Sequence, residues 1–264
     1  MIMSENQPNA VEVQDLVKRF GKFTAVNHIN FQVVKGEVFG FLGPNGAGKS
    51  TTIRMLCGIL PPTSGTGHVG GFDIIKQRYQ IKETIGYMSQ KFSLYSDLTI
   101  EENIDFYSGI YKLSRQKKKI RKDWILEMTG LGKMKSSLTG TISTGFKQRL
   151  AFGCAVIHEP KIVFLDEPTS GIDPIARTNF WDLVRQMASS GVTIFVTTHY
   201  MDDADNCDRI SLIYNGDIIA MGSPKELKQE IASGNDKEVS LEDVFVTLIE
   251  NHDLKAVNHE TSKS

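Results

Sequence analysis

The run Gly43-Pro44-Asn45-Gly46-Ala47-Gly48-Lys49-Ser50-Thr51 fits the pattern Gly-x4-Gly-Lys-Ser/Thr. Each residue type there has a chemical use. Glycines let the backbone curl so that its N–H groups converge on phosphate oxygens, Lys49 adds a point charge, and the Ser50 hydroxyl is placed to ligate Mg²⁺. The flanks supply the context that such a loop requires. Val38-Phe39-Gly40-Phe41-Leu42 reads as a strand before it, and Thr52-Ile53-Arg54-Met55-Leu56 as a helix after it. A nucleoside triphosphate ligand explains the run better than a Gly-rich turn that binds nothing. Far downstream, Ile162-Val163-Phe164-Leu165 leads into Asp166-Glu167. An apolar strand ending in an acidic pair is what an ATPase needs opposite a phosphate loop. Asp166 can hold Mg²⁺ through water. Glu167, one residue on, can polarise the attacking water, a general-base role worth roughly 10²–10⁴ in rate. The competing explanation is a pair of exposed carboxylates at a strand end, which the buried-strand context disfavours.

The surrounding elements must hold these groups. Val11-Glu12-Val13 and Phe31-Gln32-Val33 alternate at period two and open the chain as antiparallel sheet. Pro61-Pro62-Thr63-Ser64-Gly65 stops regular structure, residues 69–72 read as a short edge strand, and Ile85-Gly86-Tyr87-Met88 as another strand. From residue 99 to about 129 the spacing of Ile100, Ile104, Tyr107 and Ile110, then of Ile120, Trp124, Ile125 and Met128, is helical. Strand signals return at Ile162, at 192–196 and at 210–214. Helices at 175–188 and around 201–206 alternate with them, the grammar of a parallel sheet covered on both faces. Asn215-Gly216-Asp217 marks a hairpin. Residues 241–249 read as a final amphipathic helix, and the polar stretch 251–264 as a mobile tail.

Composition bounds the rest. The chain has 264 residues, 40% hydrophobic and 23% charged, with a formal net charge of −1, which gives no global field toward nucleic acid. No apolar run approaches the roughly 20 residues of a membrane-spanning helix, and residues 1–9 lack the pattern of a secretory signal, so synthesis for the cytosol is expected. Cys57, Cys154 and Cys207 are unpaired by spacing and fit reduced thiols.

Thr141-Ile142-Ser143-Thr144-Gly145-Phe146-Lys147-Gln148-Arg149 resembles the signature segment of ATP-binding cassette proteins. Phe20 resembles the aromatic that stacks on adenine, Gln90 the Q-loop glutamine, Ser170-Gly171-Ile172-Asp173 the D-loop, and His199 the switch histidine. The matches fall in the family's order and span residues 11–222. The resemblance implies an α/β fold: a P-loop NTPase (RecA-like) core, an N-terminal antiparallel β subdomain, and an inserted α-helical subdomain at about 91–149. Residues 223–264 would form a C-terminal helical extension and tail.

It also implies ATP as substrate with Mg²⁺ held through Ser50, Gln90 and Asp166. In this family two cassettes close head to tail over ATP. Ser143 and the N–H of Gly145, in a segment with Thr144, Lys147 and Gln148, would reach the γ-phosphate held by the partner, as a helix start can. Gln90 would sense Mg²⁺ and the attacking water. His199 would hold the γ-phosphate and orient Glu167, and Asp173 would belong to the D-loop. Two positions depart from the common pattern: Thr144 stands where Gly is usual and Phe146 where Gln is common. A β-branched residue resists positive φ and crowds an approaching phosphate. Homodimerisation is the simpler pairing, and a heterodimer stays open.

The signature, Asp166-Glu167-Pro168-Thr169-Ser170-Gly171-Ile172-Asp173-Pro174, and Leu241-Glu242-Asp243-Val244-Phe245 resemble the ATP-binding subunits of ABC-2 type exporters. Such subunits sit on the cytoplasmic face of the plasma (inner) membrane and drive export of drugs, lipids or polysaccharides through a separate permease. The alternative is a soluble cassette ATPase acting on ribosomes or nucleic acid. Against it stand a single cassette, no coiled-coil insert and no basic balance. A small-molecule kinase would leave the signature and His199 unexplained. The basic run Arg115, Lys117, Lys118, Lys119, Arg121 and Lys122 reads as a solvated helix face, with anionic lipid as the other reading. Aromatics Phe92, Tyr95, Phe106, Tyr107 and Tyr111 follow Gln90, where cassettes receive a helix of the membrane subunit; packing within the insert accounts for most of them. The remaining histidines show no ligand-like spacing.

Overall fold

The computed structural model describes residues 8–91, 93–232 and 239–261. Two long strands, β1 (Asn9–Phe20) and β2 (Phe23–Val34), form the N-terminal hairpin, with Glu12 opposite Gln32 and Val13 opposite Phe31 as the alternation predicts. β3 (Val38–Leu42), buried at every position, feeds the phosphate loop, and α1 (Lys49–Leu56) leaves it. β4 (Ser64–Val69) pairs with β1, and β5 (Phe72–Asp73) with β4. The expected edge strand at 69–72 is therefore two strands, because Gly70 and Gly71 both take positive φ and reverse the chain between them. Next come α2 (Arg78–Thr84), which has no counterpart in the sequence reading, and β6 (Ile85–Met88).

The helical insert follows as expected, with α3 (Ile100–Ile110) and α4 (Arg115–Met128), then α5 (Thr144–Ala155). Thr99 starts α3 with a reciprocal cap: its hydroxyl accepts from Glu102 N, and the Glu102 carboxylate accepts from Thr99 N. After α5 come β7 (Ile162–Asp166), α6 (Pro174–Ser189), β8 (Thr193–Thr198), β9 (Arg209–Tyr214), β10 (Asp217–Gly222), α7 (Pro224–Ile231) and α8 (Leu241–Thr261). The main sheet runs β10-β9-β3-β8-β7-β6, parallel except for the antiparallel edge strand β10. Asn215 and Gly216 both take positive φ between β9 and β10, the reversal their sequence signals.

Three apolar clusters hold the layers. Phe31, Phe39, Phe41, Phe195 and Ile53 fill the space between the two sheets and α1. Phe152, Phe180, Trp181, Val184, Leu165 and Val196 fill the opposite face under α5 and α6. Ile100, Ile104, Ile125, Leu131 and Leu150 make the insert's own core. Both faces of the parallel sheet are thus dry, which is why β3, β7 and β8 read as unbroken apolar runs.

Two readings are corrected. Residues 201–206 form a 3-10 segment rather than an α-helix. The chain beyond residue 249 stays helical as far as Thr261. Apolar content alone missed this extension, because polar contacts fasten it: His252 Nε2 lies 3.6 Å from Asp217 Oδ2, and the Tyr214 hydroxyl donates to Asp253 at 3.4 Å. The basic run of α4 is a solvated helix face at Arg115, Lys117 and Lys119, with ion pairs along it. Lys117 pairs with Glu159 at 2.5 Å, Lys118 and Lys122 with Asp105 at 3.3 and 3.0 Å, and Arg121 caps the end of α5 through the carbonyls of Val156 and Ile157. Tyr107 and Tyr111 pack in the insert as expected. Phe92, residues 1–7 and residues 262–264 lie outside the described residues.

Candidate functional site

Steric fit dictates the phosphate loop. A Cβ on Gly43 would come within 2.2 Å of the Ile213 carbonyl, and one on Gly48, at φ 106°, within 2.3 Å of the Ala25 carbonyl. Only glycine fits either place. The loop is also latched from the β9–β10 hairpin, where Gly216 N–H donates to Ala47 O at 3.2 Å. Lys49 starts α1 and turns its Nζ back over the loop, donating to the carbonyls of Gly43 at 2.7 Å and Pro44 at 3.0 Å.

From there one polar cluster runs across the ends of four neighbouring strands. Lys49 Nζ meets Glu167 Oε1 at 3.1 Å, with both side chains buried. The Ser50 hydroxyl donates to Asp166 Oδ1 at 2.9 Å, and Thr197 on β8 donates to the same oxygen at 2.9 Å. Gln90, just past β6, donates its amide to Glu167 Oε2 at 3.0 Å, and His199 Nδ1 stands 3.2 Å from that oxygen. Parallel register brings this about: Met88 pairs with Leu165, Asp166 with Thr197, and Leu42 with Thr198, so residues from Lys49 to His199 meet at one end of the sheet. Ligands of open parallel sheets bind at that end.

The two acids are separated by backbone shape. Asp166 is the last residue of β7, whereas Glu167 takes φ 49°, in the left-handed region. Such a conformer is uncommon outside glycine. Here the Glu167 N–H is fixed by bonds to Thr197 Oγ1 at 3.0 Å and Thr197 O at 3.1 Å. The turn aims Glu167 at Lys49, Gln90 and His199 while Asp166 faces Ser50. Burial raises the pKa of Asp166 above its ordinary value, against the hydroxyls of Thr197 and Ser50, which lower it.

The structure brings together Lys49, Ser50, Gln90, Asp166, Glu167 and His199, all named from the sequence. Sequence reasoning did not name Thr197, which holds both acids, nor Asp203, which sits beneath them. A β-branched hydroxyl in a strand looks like an ordinary strand residue, and one acid among the four of 202–208 carries no spacing signal. Phe20 ends β1 half-exposed, with Lys18 Nζ 5.1 Å from its ring centroid. Among the described residues no hydrogen bond or ion pair joins the signature segment to the Lys49 cluster.

Ser143 is the N-cap of α5, yet its hydroxyl makes no capping bond, and Ser143 and Thr144 are exposed. The first N–H groups of that helix therefore point outward without partners from the helix itself. Gly145 is buried against α6: a Cβ there would fall 2.6 Å from the Ala176 Cβ. Thr144 has no positive φ, so the expected backbone strain at this departure is absent; it occupies an ordinary first helical position. Lys147 Nζ donates to Gly140 O at 3.1 Å, and Gln148 is buried with its Oε1 unbonded among the described residues. Asp173 caps α6, accepting from Ala176 N at 2.9 Å.

The family model for ABC transporters matches residues 26–170. The chain belongs to the ABC transporter family. A probable multidrug ABC transporter ATP-binding protein, YbhF of Escherichia coli (strain K12), is 47% identical over 248 residues, covering 94% of this chain and 43% of that protein. The chain thus spans less than half the length of that relative. The linearmycin resistance ATP-binding protein LnrL of Bacillus subtilis (strain 168) is 41% identical over 218 residues, 82% of this chain and 70% of that one. A solved ATP-binding subunit of an ABC transporter superposes with a TM-score of 0.79 at 28% identity, covering 91% of this chain and 99% of that one. The cassette is an ABC ATPase domain with the fold the motifs implied: a P-loop core, an antiparallel subdomain and a helical insert.

Proposed function

We propose that this chain binds and hydrolyses ATP to power export through a separate membrane permease, as a subunit of an ABC-2 type transporter. The observation that carries the reading is the bonded cluster of Lys49, Ser50, Gln90, Asp166, Glu167 and His199 at one end of the sheet, with Lys49, Asp166 and Glu167 buried. The residues 43–51 would bind the phosphates, with Phe20 stacking on adenine. Oxygen donors suit a hard cation: the Ser50 hydroxyl, the Asp166 carboxylate and the Gln90 amide oxygen would hold Mg²⁺. When bound, Mg²⁺ neutralises charge on the β- and γ-phosphates.

Glu167 is the general base. Its Oε2 is held by Gln90 and lies beside His199, so both neighbours fix the direction in which it accepts a proton from water. Lys49 must exchange Glu167 for phosphate oxygens, which frees the carboxylate for that water. The exposed start of α5, with Ser143, Thr144 and the Gly145 N–H, serves ATP held on a second cassette, and Asp173 lies at the same face. A homodimer is the simplest arrangement.

No helix among the described residues is long and apolar enough to cross a membrane, and in this reading the permease supplies the transport path. A groove of about 320 Å³ between core and insert, beside Gln90 and lined by Ile59, Tyr87, Tyr107 and Tyr111, suits a helix of that permease. The complex places the chain peripherally, on the cytoplasmic face of the membrane. Closure on ATP pushes the permease outward and hydrolysis resets it, a coupling by differential affinity of ATP for the two states. Pull-down of the tagged chain from gently solubilised membranes tests this. A stoichiometric polytopic protein, with efflux lost in Glu167→Gln, is expected; recovery only with ribosomes, or efflux retained in that variant, overturns it.

A further inference from the structure

Asp203 is nearly inaccessible, 1% exposed, yet it lies in the short 3-10 segment just after His199 and touches none of the groups of the Lys49 cluster. Its two oxygens take four donors from three parts of the chain. Oδ2 accepts from the Thr198 hydroxyl at 2.7 Å and the Thr169 hydroxyl at 2.8 Å. Oδ1 accepts from Arg177 Nε at 2.7 Å and Trp181 Nε1 at 2.6 Å. A carboxylate so fully bonded is rigid, and a buried charge makes its bonds strong and their loss expensive.

The donors are the informative part. Thr198 immediately precedes His199, and its oxygen also accepts the Tyr200 N–H at 3.0 Å, so the residues on both sides of His199 are pinned. The Arg177 guanidinium stacks 4.4 Å over the Tyr200 ring, which in turn lies 4.1 Å from the His199 ring. Thr169 is two residues past Glu167. Arg177 and Trp181 lie on α6, which starts at Asp173 and abuts Gly145 of α5 through Ala176.

We propose that Asp203 is a positioning residue for hydrolysis: it fixes the His199 loop against the Glu167 loop and ties both to the helix that carries the D-loop. It acts through His199 and Glu167 and never meets ATP. The inference rests on the roles assigned above to those two residues.

The test is a double-mutant cycle in steady-state ATP hydrolysis by the purified full chain, with Asp203→Asn, His199→Ala and their combination, and with Thr198→Val and Thr198→Ser in parallel. Asp203→Asn keeps the shape and removes the charge. The expected result is a turnover at least tenfold lower with KM for ATP changed less than twofold, and a further loss below threefold when His199 is already Ala. Thr198→Val should reproduce the loss in turnover and Thr198→Ser restore it, which keeps the test open if Asp203→Asn folds poorly. An equal loss from Asp203→Asn in both backgrounds, or a rise in KM alone, marks a merely structural role and overturns the proposal. His199→Ala at full turnover instead overturns the reading of His199 itself.

Discussion

The Lys49 cluster and the signature segment are built on opposite plans. In the first, every charged or polar group has a partner: Lys49 has two carbonyls and Glu167, Asp166 has two hydroxyls, and Glu167 has donors on both oxygens. In the second, the start of α5 carries a cap residue that does not cap and two exposed side chains. In the first region the parts depend on one another, with Lys49, Asp166 and Glu167 buried. An open helix start leaves its N–H groups and positive dipole end uncommitted, which suits an anion from outside the helix. The difference teaches that a substitution in the closed network is felt within the chain, whereas one at the open helix start is felt only where another group meets it.

The largest expected effect lies in the closed region. Glu167→Gln should lower turnover by roughly 10²–10⁴ while ATP still binds, read by single-turnover hydrolysis beside nucleotide titration. In the open region Ser143→Ala should lower turnover by about 10² through loss of one donor to developing charge, with ATP affinity of the isolated chain unchanged. A matching drop in affinity would show that Ser143 serves its own chain's nucleotide, and the contrast would fail. Thr197→Val sharpens it in another way. Because Thr197 holds Asp166 and the Glu167 N–H inside the protein, the variant should lose about 1–3 kcal/mol in a urea titration, whereas Ser143→Ala should shift the midpoint hardly at all.

A residue outside both regions calibrates the stability readings. His158 stacks on Tyr111 at 3.6 Å, and burial pushes its pKa down to about 4. The unfolded chain therefore binds the proton first, and the stability contributed by neutral His158 is present above about pH 6.5 and is lost as pH falls toward 4. Urea midpoints of His158→Gln should flatten over that interval. The smallest change is expected at Thr144→Gly, within about threefold in turnover, because the native backbone there is already helical and glycine relieves only side-chain crowding.

Much of the machinery was legible along the chain. Phosphate loops need glycine at fixed offsets from Lys49, and acids such as Asp166 and Glu167 need an apolar strand before them, so sequence spacing carries that chemistry directly. The parallel strands were legible for the same reason: burial on both faces writes an unbroken apolar run. Where the reading erred, the deciding contacts were between distant residues. Residues 251–261 looked too polar to pack, but the Tyr214 hydroxyl donates to Asp253 and the Tyr214 ring meets the His252 ring edge-on. The α4 face reads as solvated and is, though its cations pair with Glu159 of the α5–β7 connection and Asp105 of α3.

By itself, the sequence determined which residue types meet phosphate, which strands are buried and in what order the motifs come, because those depend on neighbours within a few positions. Only the tertiary structure decided that Glu167 turns away from Asp166, that Thr197 bonds to both, and that Asp203 joins the Thr198, Thr169 and Arg177 side chains. Those bonds depend on register between strands and on helix docking, and no local pattern encodes which distant donor will stand within 3 Å of a buried acceptor.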